Sequence, residues 1–186
     1  MSTVLRYGMV GGGPGAFIGD AHRRSIALDG GAELVAGSFS RDPEKTREMA
    51  DLLNLDEDRC YASYAEMAEA EAAREDGIDF VVVVTPNFSH FDICKTFLNA
   101  GINVACDKPV TISYAQAAEL EALAKEKGLL FMVTYTYMGY VTAKYARDLI
   151  RNGDIGEIRM VMAAYPQGWL AFEDDNGGKP GEWRCD

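Results

Sequence analysis

The stretch LRYGMVGGGPGA, residues 5–16, decides the fold of this 186-residue chain. Its first half is a short apolar run, typical of a buried β-strand, and the run leads directly into a glycine-rich loop. Gly11, Gly13 and Ala16 have the spacing G-x-G-x-x-A. In that pattern one glycine makes a tight turn, the next admits a pyrophosphate close to the backbone, and the small third residue lets a helix pack on the strand. The pattern predicts a dinucleotide-binding loop.

The sequence around the loop favours the same interpretation. We expect a helix over about residues 15–28, and its unpaired N–H groups would face phosphate groups together with Pro14, Gly15 and Phe17. A second strand is predicted at residues 33–39. A glycine-rich loop without this context would indicate only a turn.

Strand-like apolar runs alternate with helical segments through the first part of the chain. Helices are predicted to begin after Asp42, which precedes a proline, and after Ser63 and Ser113, each followed three residues later by Glu or Gln. Gly101 and Gly128 stand where helices should end. The predicted strands are residues 5–10, 33–39, 80–85, 103–106 and 129–134.

We therefore predict two domains. Residues 1–136 should form an α/β domain, a Rossmann-type doubly wound parallel sheet. Residues 137–186 should begin an incomplete α+β domain, with a helix at 141–151, a longer strand at 157–165 and a polar loop that ends the chain before the domain is complete.

Composition and charge exclude several classes of protein. The net charge of -11 argues against nucleic-acid binding and against anionic membrane surfaces. The sequence has neither a signal peptide pattern nor a long apolar span, so we expect a cytoplasmic protein. Four irregularly spaced cysteines and two distant histidines predict neither a disulfide framework nor a metal site.

The end of the second predicted strand bears on the choice of nucleotide. An acid at this point typically binds the ribose hydroxyls of NAD, whereas a cation accommodates the 2′-phosphate of NADP. Ser40 and Arg41 follow the strand, with Lys45 one turn further on, and these residues favour NADP over NAD. Alternatively, Arg41 is only a solvated loop residue and Asp42 only a helix cap.

Two further strand ends carry polar residues. The strand at 80–85 runs into Thr85, Pro86 and Asn87, with His90 shortly after, and ligands bind beyond such strand ends in parallel sheets. His90 by itself is more typical of a hydrogen-bonded structural histidine than of a catalyst. After the strand at 103–106, Lys108 lies between an aspartate and a proline, where its ammonium can stabilise a developing alkoxide.

These residues together resemble the glucose-fructose oxidoreductase, inositol dehydrogenase and rhizopine-catabolism family, Gfo/Idh/MocA. The resemblance spans essentially the whole chain, and the lysine-proline step is its most diagnostic part. It implies hydride transfer between nicotinamide and a carbinol carbon of a sugar or polyol. It also implies site roles. Lys108 would contact the reacting hydroxyl, Thr85, Pro86, Asn87 and His90 would lie along the cofactor with Asp107 and Lys108, and Trp183 and Arg184 would approach it from the second domain.

The chain departs from the family pattern in two ways. The family motif Glu-Lys-Pro is here Asp107-Lys108-Pro109, so a shorter acid precedes the lysine. Members of the family are about twice as long, and the Asp and His that act with the lysine would lie beyond residue 186. The resemblance also implies a homo-oligomer built on the sheet of the second domain. Candidate substrate contacts, which could equally be core or surface residues, are Tyr137, Tyr165, Gln167 and Trp169.

Two alternatives stay open at this point. The chain could be a nucleotide-binding module without catalysis, since half of the acid/base machinery is missing from it. A methyltransferase-like fold also places a glycine-rich loop after its first strand, although the Pro14-Gly15-Ala16 segment and the lysine-proline step argue against it.

Overall fold

The structure, a computed structural model, describes residues 4–166. Its strands and helices alternate, as expected for an α/β fold. The strands are β1 Leu5–Gly11, β2 Ala32–Ser38, β3 Phe80–Val84, β4 Asn103–Cys106 and β5 Phe131–Val133. The helices are α1 Phe17–Ala27, α2 Pro43–Leu53, α3 Tyr64–Ala73, α4 His90–Asn99, α5 Tyr114–Lys127 and α6 Val141–Arg151.

The five strands form one parallel sheet in the order β2-β1-β3-β4-β5. The chain fills the sheet outward from β1 first on one side and then on the other, so the order reverses between β1 and β3. In open α/β sheets this reversal opens a crevice at the carboxyl ends of the strands, where ligands bind. The predicted Rossmann-type doubly wound sheet is confirmed.

The core lies on both faces of this sheet, which explains why the central strands are almost entirely apolar. Val81 and Val83 face one side, with Phe97 and Leu98 of α4 and Leu120 of α5. The opposite face is a smaller cluster of Met9, Val82, Val84 and their neighbours. Alternate residues of β3 therefore serve two separate cores.

The helix ends follow the predicted punctuation. The side chains of Asp42, Ser63 and Ser113 each accept a hydrogen bond from a backbone N–H in the first turn of the helix that follows. Gly101 and Gly128 have positive φ just after α4 and α5. The predicted bounds of the five strands in the sheet agree with the structure to within two residues, and β5, at the edge of the sheet, has only three residues.

A buried ion pair fixes the segment after α2 beside the edge strand β2. The Arg59 guanidinium pairs with the Glu71 carboxylate, and Tyr61 donates a 2.7 Å hydrogen bond to the same carboxylate. Burial, followed by Glu71, raises the pKa of Tyr61, so the phenol remains a donor. The backbone N–H of Tyr61 also donates to Gly37 of β2 at 2.9 Å, so this pair anchors the segment to the edge strand.

The chain divides into two compact units, with the division between Met138 and Gly139. In the second unit, α6 is the regular element among residues 139–166. The prediction of a strand over residues 157–165 is wrong, because these residues form neither helix nor strand. A strand needs a neighbour to pair its N–H and C=O groups, and within the described range none pairs with this segment. Apolar periodicity alone does not supply such a partner.

No helix in residues 4–166 is long and apolar enough to cross a membrane.

Candidate functional site

The candidate site is the carboxyl edge of the parallel sheet in the first unit. Because all five strands run in the same direction, the segments that follow them emerge at one edge. This edge therefore brings together the predicted residues after β1, β2, β3 and β4, which lie up to 97 positions apart between Gly11 and Lys108. The chemistry of each turn can be described separately.

The glycine-rich loop after β1 has the geometry that its sequence predicts. Gly11 has φ of 86°, a left-handed conformation that a residue with a Cβ rarely adopts. At Gly13 a Cβ would lie 3.0 Å from the Phe39 carbonyl oxygen, so the loop runs directly over the end of β2. Pro14 and Gly15 are exposed at the tip, and Ala16 donates its N–H to the Gly13 carbonyl at 3.0 Å.

Helix α1 packs against this loop through a glycine that the sequence analysis missed. A Cβ on Gly19 would lie 2.5 Å from the Cα of Gly12, closer than any side chain tolerates. Arg23, one turn later, donates to the Gly12 carbonyl at 3.2 Å. The small residue at the third position of the fingerprint, Ala16, is thus joined by Gly19 as a point of close approach. The position of Gly19 one helical turn after Ala16 could have indicated this second close approach.

The turn after β2 is held by short-range contacts. The Thr46 hydroxyl donates to the Ser40 carbonyl and accepts from the Ser40 N–H, both at 3.1 Å. The Asp42 carboxylate accepts from the Glu44 N–H at 3.0 Å and is thereby used as a helix cap. Arg41 and Lys45 are exposed. The turn presents the cations Arg41 and Lys45 to the solvent, while the carboxylate of its first acid, Asp42, caps helix α2.

The turn after β3 lies where the order of strands reverses. Ser89 Oγ is 2.8 Å from Thr85 Oγ1 and 2.7 Å from the Pro86 carbonyl oxygen, which closes the turn. Asn87 begins the single 3₁₀ turn before α4 and is half-buried, whereas Pro86 is exposed. The structure therefore leaves Pro86 and the Asn87 side chain at the crevice edge of the sheet.

His90 is buried in the interior of the fold, with 1% of its surface exposed. Its Nδ1 is 2.8 Å from the Pro109 carbonyl oxygen and its Nε2 is 2.8 Å from the Thr85 carbonyl oxygen. Burial lowers the pKa of His90, but Cys106 and the carbonyls of Pro109 and Thr85 raise it, and the net pKa is raised.

The Asp107-Lys108-Pro109 turn begins where β4 ends. The Asp107 N–H donates to the Val83 carbonyl at 2.9 Å, which continues the ladder between β3 and β4 by one residue. Lys108 and Pro109 are exposed, and the peptide bond between them is cis. Lys108 is thus the first side chain beyond the buried strand to reach the solvent at this edge.

Asp107 contacts residues from two other segments of the chain. The Thr134 hydroxyl, which follows β5, donates to its carboxylate at 3.0 Å. His22 Nε2 of α1 lies 3.7 Å from the same oxygen, an electrostatic contact rather than a hydrogen bond. Burial raises the pKa of Asp107, whereas His22, the Lys108 backbone and Thr134 lower it, and the net pKa lies below its ordinary value. Asp107 is therefore an anion at neutral pH.

His22 was set aside in the sequence analysis, and the structure brings it to the site. It lies on the face of α1 that also carries the buried Gly19 and the half-buried Ile18 and Ile26. A polar residue on the sheet-facing side of an amphipathic helix was the signal that could have identified it.

The cysteines beneath the turn are free thiols. Cys94 and Cys106 are buried, and Cys60 is half-buried. The thiol of Cys106 donates to the Asp107 carbonyl at 3.3 Å, and the neighbouring Cys94, together with burial, strongly raises the pKa of Cys106. A protonated, buried thiol is unreactive and serves packing. Residues 4–166 contain no cluster of His, Cys, Asp and Glu that could hold a metal ion.

The predicted substrate contacts are only partly described. Tyr137 lies in a 3₁₀ turn at the end of the first unit, and Tyr165 lies in the second unit, where 66% of its surface is exposed. Gln167, Trp169, Trp183 and Arg184 lie outside the described residues.

Comparison with known families identifies the chain. Residues 5–135 match the model of the Gfo/Idh/MocA family, described as an oxidoreductase family with an NAD-binding Rossmann fold. The match covers the entire sheet and every turn described above. The chain belongs to the Gfo/Idh/MocA oxidoreductase family. The resemblance inferred from the sequence motifs is confirmed.

Relatives of this Gfo/Idh/MocA chain include dehydrogenases of sugars and polyols. It is 40% identical to the oxidoreductase YfiI of Bacillus subtilis, over 100% of this chain and 48% of that protein. It is 31% identical to the D-xylose 1-dehydrogenase (NADP(+)) of Hypocrea jecorina, over 70% of this chain and 32% of that protein. The chain thus spans about half the length of YfiI and less of the xylose enzyme.

Solved structures agree with the fold. An inositol dehydrogenase homologue from Azotobacter vinelandii, in complex with NADH and myo-inositol, is 40% identical. It superposes with a TM-score of 0.81 over 86% of this chain and 42% of that protein. The NAD-binding Rossmann assignment therefore rests on both sequence and structure, whereas a methyltransferase-like fold is not supported.

Proposed function

We propose that this protein transfers hydride between a nicotinamide nucleotide and the carbinol carbon of a sugar, an inositol or a related polyol, with Lys108 at the reacting oxygen. The observation that carries this proposal is the turn of Asp107, Lys108 and Pro109, which emerges at the same sheet edge as the glycine-rich loop. Family membership supplies the reaction class, and the position of the lysine supplies the catalytic group.

The loop after β1 suits a bound dinucleotide. The space that a Cβ of Gly13 would occupy lies over the end of β2, and α1 begins immediately beyond with its N–H groups unpaired by any side-chain cap. A pyrophosphate there would be bound by backbone amides and by the positive end of the helix dipole. Gly11, Gly13, Pro14, Gly15, Ala16 and Phe17 are the proposed contacts on this side.

Lys108 would act on the substrate oxygen. The nicotinamide, when bound, accepts or gives the hydride. In the oxidative direction the C–H pair of electrons leaves the carbinol carbon, the hydroxyl proton passes to a separate acid/base group, and the oxygen passes through partial negative charge. An ammonium positioned beside that oxygen stabilises the charge where it develops. Asp107, held as an anion next to Lys108, keeps the turn electrostatically balanced.

We further infer that the protein accepts NADP and prefers it to NAD. The support is local to the turn after β2: the first acid, Asp42, is already used as a helix cap, and Arg41 and Lys45 are exposed beside Ser40. A 2′-phosphate would meet two exposed cations there. One relative uses NADP by name and another was solved with NADH, so both nucleotides occur among related proteins.

The substrate class is inferred from the same relatives. One structure holds myo-inositol and one relative is named for D-xylose, so cyclic polyols and aldoses are the compounds to test first. Tyr137, Tyr165, Gln167 and Trp169 remain candidate substrate contacts, and Trp183 and Arg184 candidate cofactor contacts. We also infer a homo-oligomer, because Met160, Val161 and Met162 are apolar and largely exposed in the described second unit.

The test is steady-state turnover of the full-length protein with NADP⁺ and NAD⁺ against inositols, aldoses and linear polyols, followed by the absorbance of the reduced nicotinamide. We expect activity with at least one of these polyhydroxy compounds and a loss of about 100- to 1,000-fold in kcat for Lys108→Met. Lys125→Met, which removes an exposed lysine paired with Glu121, is the matched control and should retain activity. Nucleotide binding without turnover of any compound would favour a non-catalytic binding module instead.

A further inference from the structure

His90 has a hydrogen-bonding geometry that only one protonation state satisfies. Both ring nitrogens lie 2.8 Å from carbonyl oxygens, those of Pro109 and Thr85. A carbonyl oxygen only accepts hydrogen bonds, so each contact requires an N–H, and a neutral imidazole has only one. The doubly protonated ring donates to both. A neutral ring would leave a nitrogen lone pair facing a buried carbonyl oxygen.

The two carbonyls belong to different turns of the candidate site. Thr85 follows β3, and Pro109 follows Lys108 at the end of β4. The ladder between these strands ends with the hydrogen bond from Asp107 N–H to the Val83 carbonyl. Beyond that point the His90 ring joins the two turns through its contacts with the Thr85 and Pro109 carbonyls. The ring therefore takes the place of one further rung of the ladder.

The surroundings hold the ring in this position. His90 is the first residue of α4, and 1% of its surface is exposed. The titratable groups that face it are Cys106 of β4 and, next to Cys106, Cys94 of α4, both free and buried. A side chain fixed by a helix start, by two hydrogen bonds and by packing has little freedom to follow a moving turn.

We propose that His90, as an imidazolium, is a positioning residue that fixes the backbone of the Lys108 turn relative to the Thr85–Asn87 turn. The inference rests on the proposed catalytic role of Lys108. His90 does not touch the substrate or the nicotinamide and takes no part in proton transfer. Its effect on the reaction is to keep the ammonium at a constant distance from the cofactor, and displacement of a catalytic group by about 1 Å can cost about 100-fold in rate.

The first test needs no variant and no activity. Long-range ¹H–¹⁵N NMR of the His90 ring in the wild-type protein at neutral pH reports the protonation of each nitrogen. The proposal predicts that both ring nitrogens carry protons. A neutral ring with a single N–H would overturn it, whatever the enzyme's substrate proves to be.

The second test compares three variants of the full-length enzyme. His90→Gln retains one donor and His90→Phe retains none, so we expect kcat to fall about 10-fold and about 100-fold, respectively, with the KM for the nucleotide unchanged within about threefold. Phe97→Leu, at a buried position of the same helix, is the control for lost packing. If Phe97→Leu lowers Tm as much as the His90 variants do and also reduces kcat as much, the effect is general destabilisation. The positioning role is then refuted.

The two proposals can fail separately. An unchanged kcat in Lys108→Met would refute the catalytic role of Lys108 and with it the reason for positioning its turn. The NMR result would still report the protonation state of the His90 ring. If Lys108→Met loses activity as expected while both His90 variants keep full kcat, the positioning role of His90 alone is refuted.

Discussion

The turns after β4 and after β2 meet the same edge of the sheet but are held in different ways. The Asp107 to Pro109 turn is fixed by residues distant in sequence: His22, His90 and Thr134 lie 85, 19 and 27 positions from their partners in it. The Ser40 to Lys45 turn is fixed by Thr46 and by its own helix cap, six and two positions away. The first arrangement suits a group that must not move, and the second suits a surface that discriminates between ligands by charge.

This difference predicts that the two turns respond differently to conservative exchanges. At the β4 turn, Lys108→Arg keeps the charge but moves it and spreads it over a larger group. We expect kcat of the full-length enzyme to fall about 100-fold, because the rigid turn cannot adjust to the new geometry. The measurement is turnover at saturating substrate and nucleotide. Retention of more than half of the activity would mean that the turn adapts and that the contrast with the β2 turn is mistaken.

At the β2 turn a conservative exchange should change nucleotide affinity little, whereas loss of the charge should weaken NADPH binding. Arg41→Ala is expected to weaken NADPH binding about tenfold and to leave NADH binding unchanged, while Arg41→Lys should stay within about twofold for both nucleotides. Calorimetric titration of both nucleotides measures these ratios. Arg47→Ala, further along the exposed surface of α2, is the control. Equal losses for NADH and NADPH in Arg41→Ala would show that the turn does not read the 2′-phosphate.

A smaller effect should follow from the contact between His22 and Asp107. Because the pKa of Asp107 is lowered in the folded protein, its contribution to stability is present above the unfolded pKa and is lost as pH falls through the folded pKa. Because His22 lowers the pKa of Asp107, His22→Gln should raise that pKa toward its ordinary value. NMR titration of the side-chain carboxyl measures the change. Glu121, whose pKa is lowered by Lys125, serves as the internal control and should not change. An unchanged Asp107 would mean that Thr134 and the Lys108 backbone alone hold the carboxylate.

How much of this could be read from the sequence differs between local and long-range features. The glycine-rich loop, the helix caps at Asp42, Ser63 and Ser113, and the apolar run of β3 are local patterns with a direct physical cause, and the structure confirms them. The family assignment followed from the same local motifs. These features depend on residues within a few positions of one another.

The features that the sequence did not predict depend on contacts across the fold. His22 meets Asp107 only because α1 packs over the sheet, and Gly19 meets Gly12 only because that helix approaches the loop so closely. The sequence left His90 either as a structural histidine or as a residue along the cofactor, and it did not indicate that the buried ring joins carbonyls of two separate turns. The predicted strand at 157–165 failed for the corresponding reason, since a strand needs a partner that periodicity does not identify.

The most direct test of the central claim is the titration of the protein with NADPH and NADH, repeated on Gly13→Asp and on Gly31→Asp. At Gly13 a Cβ meets the Phe39 carbonyl at 3.0 Å and the carboxylate would face the pyrophosphate, whereas a Cβ on Gly31 meets nothing within 4 Å. We predict that Gly13→Asp weakens both nucleotides on the order of 100-fold through repulsion and steric conflict, while Gly31→Asp binds like the wild type. Equal binding by Gly13→Asp and Gly31→Asp would contradict the assignment of the glycine-rich loop as the cofactor site.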